Sequence, residues 1–162
     1  MRDPFLLARR IALFLPLALI AGAWGAQLFG HLYPCEMCHW QRWPHYAAIP
    51  IAMLAFLVPG RSAPRTLVGL AAIAIALSGV IGVYHAGVEY HWWQGVTACT
   101  STVSGHGGSS ADILARIMAA PIIRCDVAQW KLGGVSLAGF NAILSLGGAG
   151  AIAWLLAQGS RR

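Results

Sequence analysis

Four cysteines, Cys35, Cys38, Cys99 and Cys125, are the residues best equipped for chemistry. The first two stand in the run Pro34-Cys35-Glu36-Met37-Cys38-His39-Trp40-Gln41-Arg42. Its C-x-x-C-H spacing suits a redox dithiol, half of a zinc site, or covalent attachment of haem. A disulfide closing so small a ring removes little chain entropy, so a structural brace explains it poorly. Bonds of this kind are more often labile and reactive. Zinc would need the other two cysteines as a second cluster, yet 25 residues separate Cys99 from Cys125. Haem would gain His39 as an axial ligand but leave Cys99 and Cys125 without a role and offer no obvious second ligand. No βαβ pattern surrounds the motif, which excludes a soluble thioredoxin-like module. The expectation is a redox dithiol with no metal; a membrane haem carrier using Cys35, Cys38 and His39 is the alternative.

The elements that must position these thiols follow from composition. The chain has 162 residues, 58% hydrophobic and only 10% charged, whereas a soluble domain carries roughly a quarter charged residues. The apolar excess therefore faces lipid. Four apolar segments, about 11–30, 44–59, 67–86 and 135–157, each approach the ~20 residues that cross a bilayer. In lipid the backbone must satisfy itself, so each segment is expected to be a helix, kinked rather than ended by Pro16 and Pro50. No alternating strand pattern competes. Gly139, Ala142, Gly147 and Ala151 permit close helix contact in the fourth segment. Arg2, Arg9 and Arg10 ahead of an apolar run ending near Ala21-Gly22-Ala23 also fit a cleaved signal peptide; the run continues past that point and three more segments follow, so it is read as a span. The expected fold is an all-α membrane protein, one domain over residues 1–162, built as a four-transmembrane-helix bundle.

Net charge is +6, and its placement reads as topology. Arg2, Arg9, Arg10, Arg61, Arg65, Arg161 and Arg162 flank apolar runs, with no basic face interleaved with aromatics for nucleic acid. Basic residues prefer the cytoplasmic side, which puts both termini there and leaves a short outer connection, about 31–43, and a long one, about 87–134. All four cysteines then face one compartment, which should be oxidising. Of three possible pairings, Cys35 with Cys38 and Cys99 with Cys125 is the simplest resting state; the other two would join the loops. Ser104 to Ser110 reads as a flexible linker, and Ser110 to Ala120 as a short helix ended by Pro121.

A thiolate is favoured beside a cation or at the positive end of a helix. Arg42 follows Cys38 by one helical turn, if a helix has begun there, although Pro44 prefers a first turn and pushes Trp43 toward extended geometry. The chain has no flavin or dinucleotide motif, so a dithiol passing electrons onward needs a small oxidant dissolved in the bilayer. A quinone fits. Arg42 and His85 are the candidates to hold its carbonyl oxygens and stabilise developing negative charge. Tyr84, Tyr90, Trp92 and Trp93 read as an interfacial aromatic belt.

Cys35-Glu36-Met37-Cys38 followed by Gln41-Arg42, the pair Cys99 and Cys125, and then Asp126, Trp130, Gly134, Ser136, Ala138 and Asn141 closely resemble the DsbB family of bacterial disulfide bond formation proteins. The resemblance spans nearly the whole chain. It implies a multi-pass protein of the bacterial inner membrane with both cysteine loops periplasmic. It implies a thiol:quinone oxidoreductase, using ubiquinone or menaquinone that is not covalently bound, which reoxidises a DsbA-like periplasmic thioredoxin-fold partner. Cys99 would be attacked by the partner's thiolate, Cys125 would be its mate, and exchange with Cys35 would pass electrons to the first pair. Cys38 would face the quinone, with Arg42, and His85 on a looser match, supporting it. Vitamin K epoxide reductase relatives use similar parts, but their loop pair usually precedes the C-x-x-C.

Overall fold

The structure is a computed structural model, and it describes residues 3–96, 109, 111 and 123–160. Cys99, most of the Ser104–Ser110 linker and the expected helix from Ser110 to Ala120 lie outside the described residues, apart from Ser109 and Ala111. Four long helices dominate: α1 (Pro4–Leu28), α2 (Glu36–Leu57), α3 (Ser62–Glu89) and α4 (Leu137–Ser160). A two-stranded hairpin, β1 (Lys131–Leu132) and β2 (Val135–Ser136), precedes α4.

The helix starts are chemically explicit. Asp3 accepts from the Phe5 N–H with Pro4 in the first turn of α1, a pairing of N-cap and proline that satisfies or removes the orphan donors. Cys35 caps α2, its sulfur accepting from the Cys38 N–H. That cap moves the start of α2 to Glu36 instead of Pro44, so Cys38, Gln41, Arg42 and Trp43 are all helical. The helix runs through Pro44 and Pro50, as α1 runs through Pro16. Helix α3 outlasts its apolar segment by a turn and carries His85 and Glu89 in its last turns.

The helices form a ring in which α2 packs on α3, α3 on α4, α4 on α1 and α1 on α2. One half of the interior is filled largely by alanine, with Val68, Ile75 and Ile152 fully buried among Ala12, Ala52 and Ala71. Small side chains let the helices approach closely where apolar burial between helices gains nothing over lipid. Phe14, Leu57, Ile73 and Trp154 point outward and are exposed. Among the described residues, α1, α3 and α4 are long and apolar enough to cross a membrane, which marks a membrane protein. The remaining helix, α2, carries Glu36, His39, Gln41, Arg42 and His45 in its first half.

At the end where α2 finishes and α3 begins, arginines satisfy helix C-terminal carbonyls. Arg9 donates to the Ala55 carbonyl and lies 4.3 Å over the Phe56 ring; Arg65 donates to the Leu156 carbonyl at 2.8 Å. The cysteines occupy the opposite end. There β1 and β2 pair antiparallel, Lys131 opposite Ser136 and Leu132 opposite Val135. The strands were not expected. Their turn, Gly133-Gly134, has φ of 58° and 84°, the left-handed pair that a two-residue hairpin requires and glycine supplies without strain. The Tyr90 hydroxyl donates to the Gly134 carbonyl and accepts from the Ser136 N–H, at 2.7 and 3.0 Å, fastening the hairpin to the end of α3.

Candidate functional site

The first turn of α2 holds the two thiols face to face. Cys35 Sγ donates to Cys38 Sγ at 3.1 Å, and both cysteines are free. Capping puts the Cys35 sulfur over the helix N-terminus, where backbone N–H groups favour negative charge. That hydrogen bond from Cys35 holds the Cys38 thiol below the ordinary range against burial, with the Arg42 guanidinium pushing the same way and the Glu89 charge opposing it. Cys35 goes the other way: its bond to Cys38 and its burial push it well up. Of the two sulfurs, Cys38 is the more readily ionised, with Cys35 donating to it.

Arg42 lies at the inner face of α2, 9% exposed. Its guanidinium donates to Gln27 Oε1 at 2.9 Å and to the Ala23 carbonyl at 3.4 Å, and sits 5.7 Å over the Trp24 ring. These partners on α1 are neutral. Among the described residues no carboxylate is within ion-pair distance of it, so its charge is available to a bound anion.

His85 lies against the other side of the pair. Its Nε2 is 3.5 Å from Cys35 Sγ and 3.8 Å from Glu89 Oε1, and Nδ1 is 2.7 Å from Gln41 Nε2. Glu89 is 9% exposed and bonds to Ser136. Cys125 is disulfide-bonded and buried; it joins Cys35, Met37 and Val88 in one apolar cluster, and its main chain hydrogen-bonds the His85 ring. The bundle thus brings His85 and Cys125, distant in sequence, to the run that holds Cys35, Cys38 and Arg42. His39 is exposed, whereas the histidine beside the thiols is His85.

A cavity of about 270 Å³ opens among these residues. Cys38, Arg42, His85 and Glu89 line one side, small residues of α1 such as Gly22 and Ala26 another, and Phe140 and Asn141 of α4 a third. An apolar pocket with a few convergent polar groups is the usual form of a small-molecule site. The donor set suits a flat ring with oxygen substituents, since an unpaired guanidinium and a thiol face the same space. Cys35, Cys38 and His85 also place one potential metal-ligating atom each within 4.8 Å of the others.

Behind the cavity is a polar network that the sequence reading missed. Gln41 Oε1 accepts from Asn141 Nδ2 at 2.9 Å, and Ser78 Oγ donates to the Gln41 carbonyl at 2.7 Å. Asn141 Oδ1 meets His45 Nε2 at 3.1 Å and accepts from Ser145 at 2.9 Å. His45 Nδ1 is buried with no partner among the described residues. The available signal was the presence of His45, Ser78, Asn141 and Ser145 inside apolar segments, where polar side chains are costly and face the bundle interior. Glu89 had a weaker one, the spacing of four residues from His85.

The family model described as Disulfide bond formation protein DsbB matches residues 7–155. A similar curated protein is the uncharacterized protein RP370 of Rickettsia prowazekii (strain Madrid E), 23% identical over 146 residues that cover 90% of this chain and 84% of that one. No solved structure matches the chain.

Proposed function

Because the chain belongs to the DsbB family of disulfide bond formation proteins, membrane disulfide oxidoreductases, we propose that it oxidises a periplasmic DsbA-like dithiol protein and passes the electrons to membrane quinone. The observation that carries this reading is the meeting of two cysteine systems in one buried cluster beside a cavity. Free Cys35 and Cys38 lie in the same buried cluster as disulfide-bonded Cys125, and Cys38 and Arg42 line the adjoining space.

In this reading Cys99 is the partner of Cys125 and the sulfur that the client's thiolate attacks. The client leaves oxidised, the loop pair is reduced, and a loop thiolate then attacks Cys35 of an oxidised Cys35–Cys38 bond. Cys38 leaves as the thiolate, its charge favoured by the Arg42 guanidinium, and the Cys35 thiol can donate to it once the mixed disulfide on Cys35 has resolved. Quinone, ubiquinone or menaquinone, supplies the terminal two-electron acceptor. Arg42 holds an oxygen of the ring and offsets negative charge as it develops, and His85 supports the same end of the cavity.

The proposed setting is the bacterial inner membrane, with four spans, both termini cytoplasmic and the cysteine loops periplasmic. Three of the spans are the apolar helices already described. The fourth is the apolar later part of α2; Gln41, Arg42 and His45 in the first half of the helix are buried toward the bundle interior. The arginines at the opposite end support the orientation.

The reading is tested by mixing the oxidised protein with a reduced thioredoxin-fold dithiol protein and trapping mixed disulfides. With the client's second active-site cysteine changed to Ser, attack on the Cys99–Cys125 bond frees Cys125 and leaves a client adduct that the client cannot resolve, so it should accumulate on Cys99. An adduct on Cys35 alone would contradict the assigned order of exchange.

A further inference from the structure

The orientation of two buried amides is fixed by main-chain carbonyls, which only accept. Asn141 Nδ2 lies 3.2 Å from the Ser78 carbonyl, so the amide nitrogen must be on that side. Gln41 Oε1 therefore faces Asn141 Nδ2. Gln41 Nε2 then faces the Met37 carbonyl, a second acceptor that agrees with the first, at 3.3 Å, and His85 Nδ1 at 2.7 Å. A donating amide leaves His85 Nδ1 no function but acceptor. In a neutral imidazole the proton then belongs on Nε2, which lies 3.5 Å from Cys35 Sγ and 3.8 Å from Glu89 Oε1, with the Cys125 main chain also bonded to the ring.

We infer that Gln41 and Asn141 are positioning residues that lock His85 in its Nε2–H form and so aim an N–H donor at the Cys35 sulfur. The inference rests on the reading of Cys35 as the sulfur of loop exchange. In that step the mixed disulfide between Cys35 and one loop cysteine is attacked by the thiolate of the other. The Cys99–Cys125 bond forms, the bond to Cys35 breaks, and Cys35 leaves as a thiolate that accepts from His85 Nε2–H. The proton that the attacking thiol gave up to solvent is balanced when Cys35 is reprotonated. The lock also sets the site against metal. A ligating histidine needs a bare nitrogen toward the metal and donates its other N–H to an outer acceptor, whereas here Gln41 presents a donor to Nδ1.

The test is long-range 1H–15N spectroscopy of the full-length reduced protein, labelled at histidine and held in lipid nanodiscs, with His85→Gln to assign the signal. The proton is expected on Nε2 in the unaltered protein; a proton on Nδ1 would overturn the inference. In Gln41→Glu the introduced carboxylate accepts from Nδ1, so the proton should move there. Affinity of the reduced protein for Co2+ should then rise at least about tenfold, and unchanged affinity with an unchanged tautomer would also overturn it. If Gln41→Glu fails to fold, the spectrum of the unaltered protein still decides. Gln41→Leu should slow exchange between loop and Cys35 by about tenfold through loss of one hydrogen bond's worth of orientation. Absence of quinone reduction with the proton on Nε2 would sink the functional reading and leave the lock standing; intact quinone reduction with the proton on Nδ1 would do the reverse.

Discussion

Cys35 donates its thiol to Cys38 across 3.1 Å at the first turn of α2. That bond pushes the Cys35 thiol up and the Cys38 thiol down, so Cys38 is the sulfur more readily ionised. In a symmetric pair neither thiol would be both nucleophilic and correctly placed; here the cap makes the two roles unequal.

The Cys38 anion should persist below the ordinary thiol value of 9.0, because its thiol is held down in the folded protein. As pH falls, alkylation of reduced Cys38 should therefore decline later than that of a model thiol, while Cys35 stays unreactive throughout. Removing the donor with Cys35→Ala should move the Cys38 profile up, and Arg42→Met should move it up less, since the Cys35 bond is the larger cause and the guanidinium a smaller one. Rates of iodoacetamide labelling against pH, read by mass spectrometry, check both the direction and the order.

Arg42 is charged, buried and bonded only to neutral groups of α1. Arg42→Met should raise the quinone KM by roughly ten- to a hundredfold, the worth of a hydrogen bond from a charged group. Transfer of electrons from a client to the Cys35–Cys38 pair should be much less affected, which separates a role at the acceptor from a role in exchange. Steady-state quinone reduction beside single-turnover client oxidation makes the comparison.

Gly82 packs closely against α4, and a Cβ there would stand 3.0 Å from the Ala138 carbonyl and 3.1 Å from Asn141 Nδ2. Gly82→Val should destabilise the bundle by about 1–3 kcal/mol through overpacking and displace Asn141. A denaturation series in mixed micelles measures the first effect. Slower exchange through Cys35, with Arg42 unaltered, would report the second.

Gly134 carries a φ of 84° and its carbonyl receives the Tyr90 hydroxyl. Gly134→Val places a β-branched residue in the left-handed region at a cost of about 1–2 kcal/mol. The consequence should be local to the hairpin and to the approach of the Cys125 segment. Protease sensitivity after Lys131 should rise while the melting of the four helices barely moves.

Much of this architecture was legible in residue order. Apolar segments flanked by arginine gave the helices, because lipid leaves the backbone few alternatives, and C-x-x-C pointed to the disulfide chemistry of the family. The start of α2 was misplaced because Pro44 resembles a first-turn proline, whereas capping by the Cys35 sulfur begins the helix at Glu36 and carries it through the proline. The hairpin was missed because two-residue strands have no periodicity to detect; Gly133-Gly134 was the only clue. His85 could be suggested from sequence, but the reason it matters could not. Its meeting with Cys35, Gln41 and Cys125 depends on how α2, α3 and the later loop pack, and no spacing rule encodes contacts between residues so far apart in the chain.

Anaerobic titration of the reduced protein with a soluble quinone analogue, following free thiols and quinone absorbance together, tests the central claim most directly. Loss of the Cys35 and Cys38 thiols in step with quinol formation, slowed in Arg42→Met, is the predicted result. An intact, folded protein that keeps both thiols reduced while the quinone stays oxidised would contradict it.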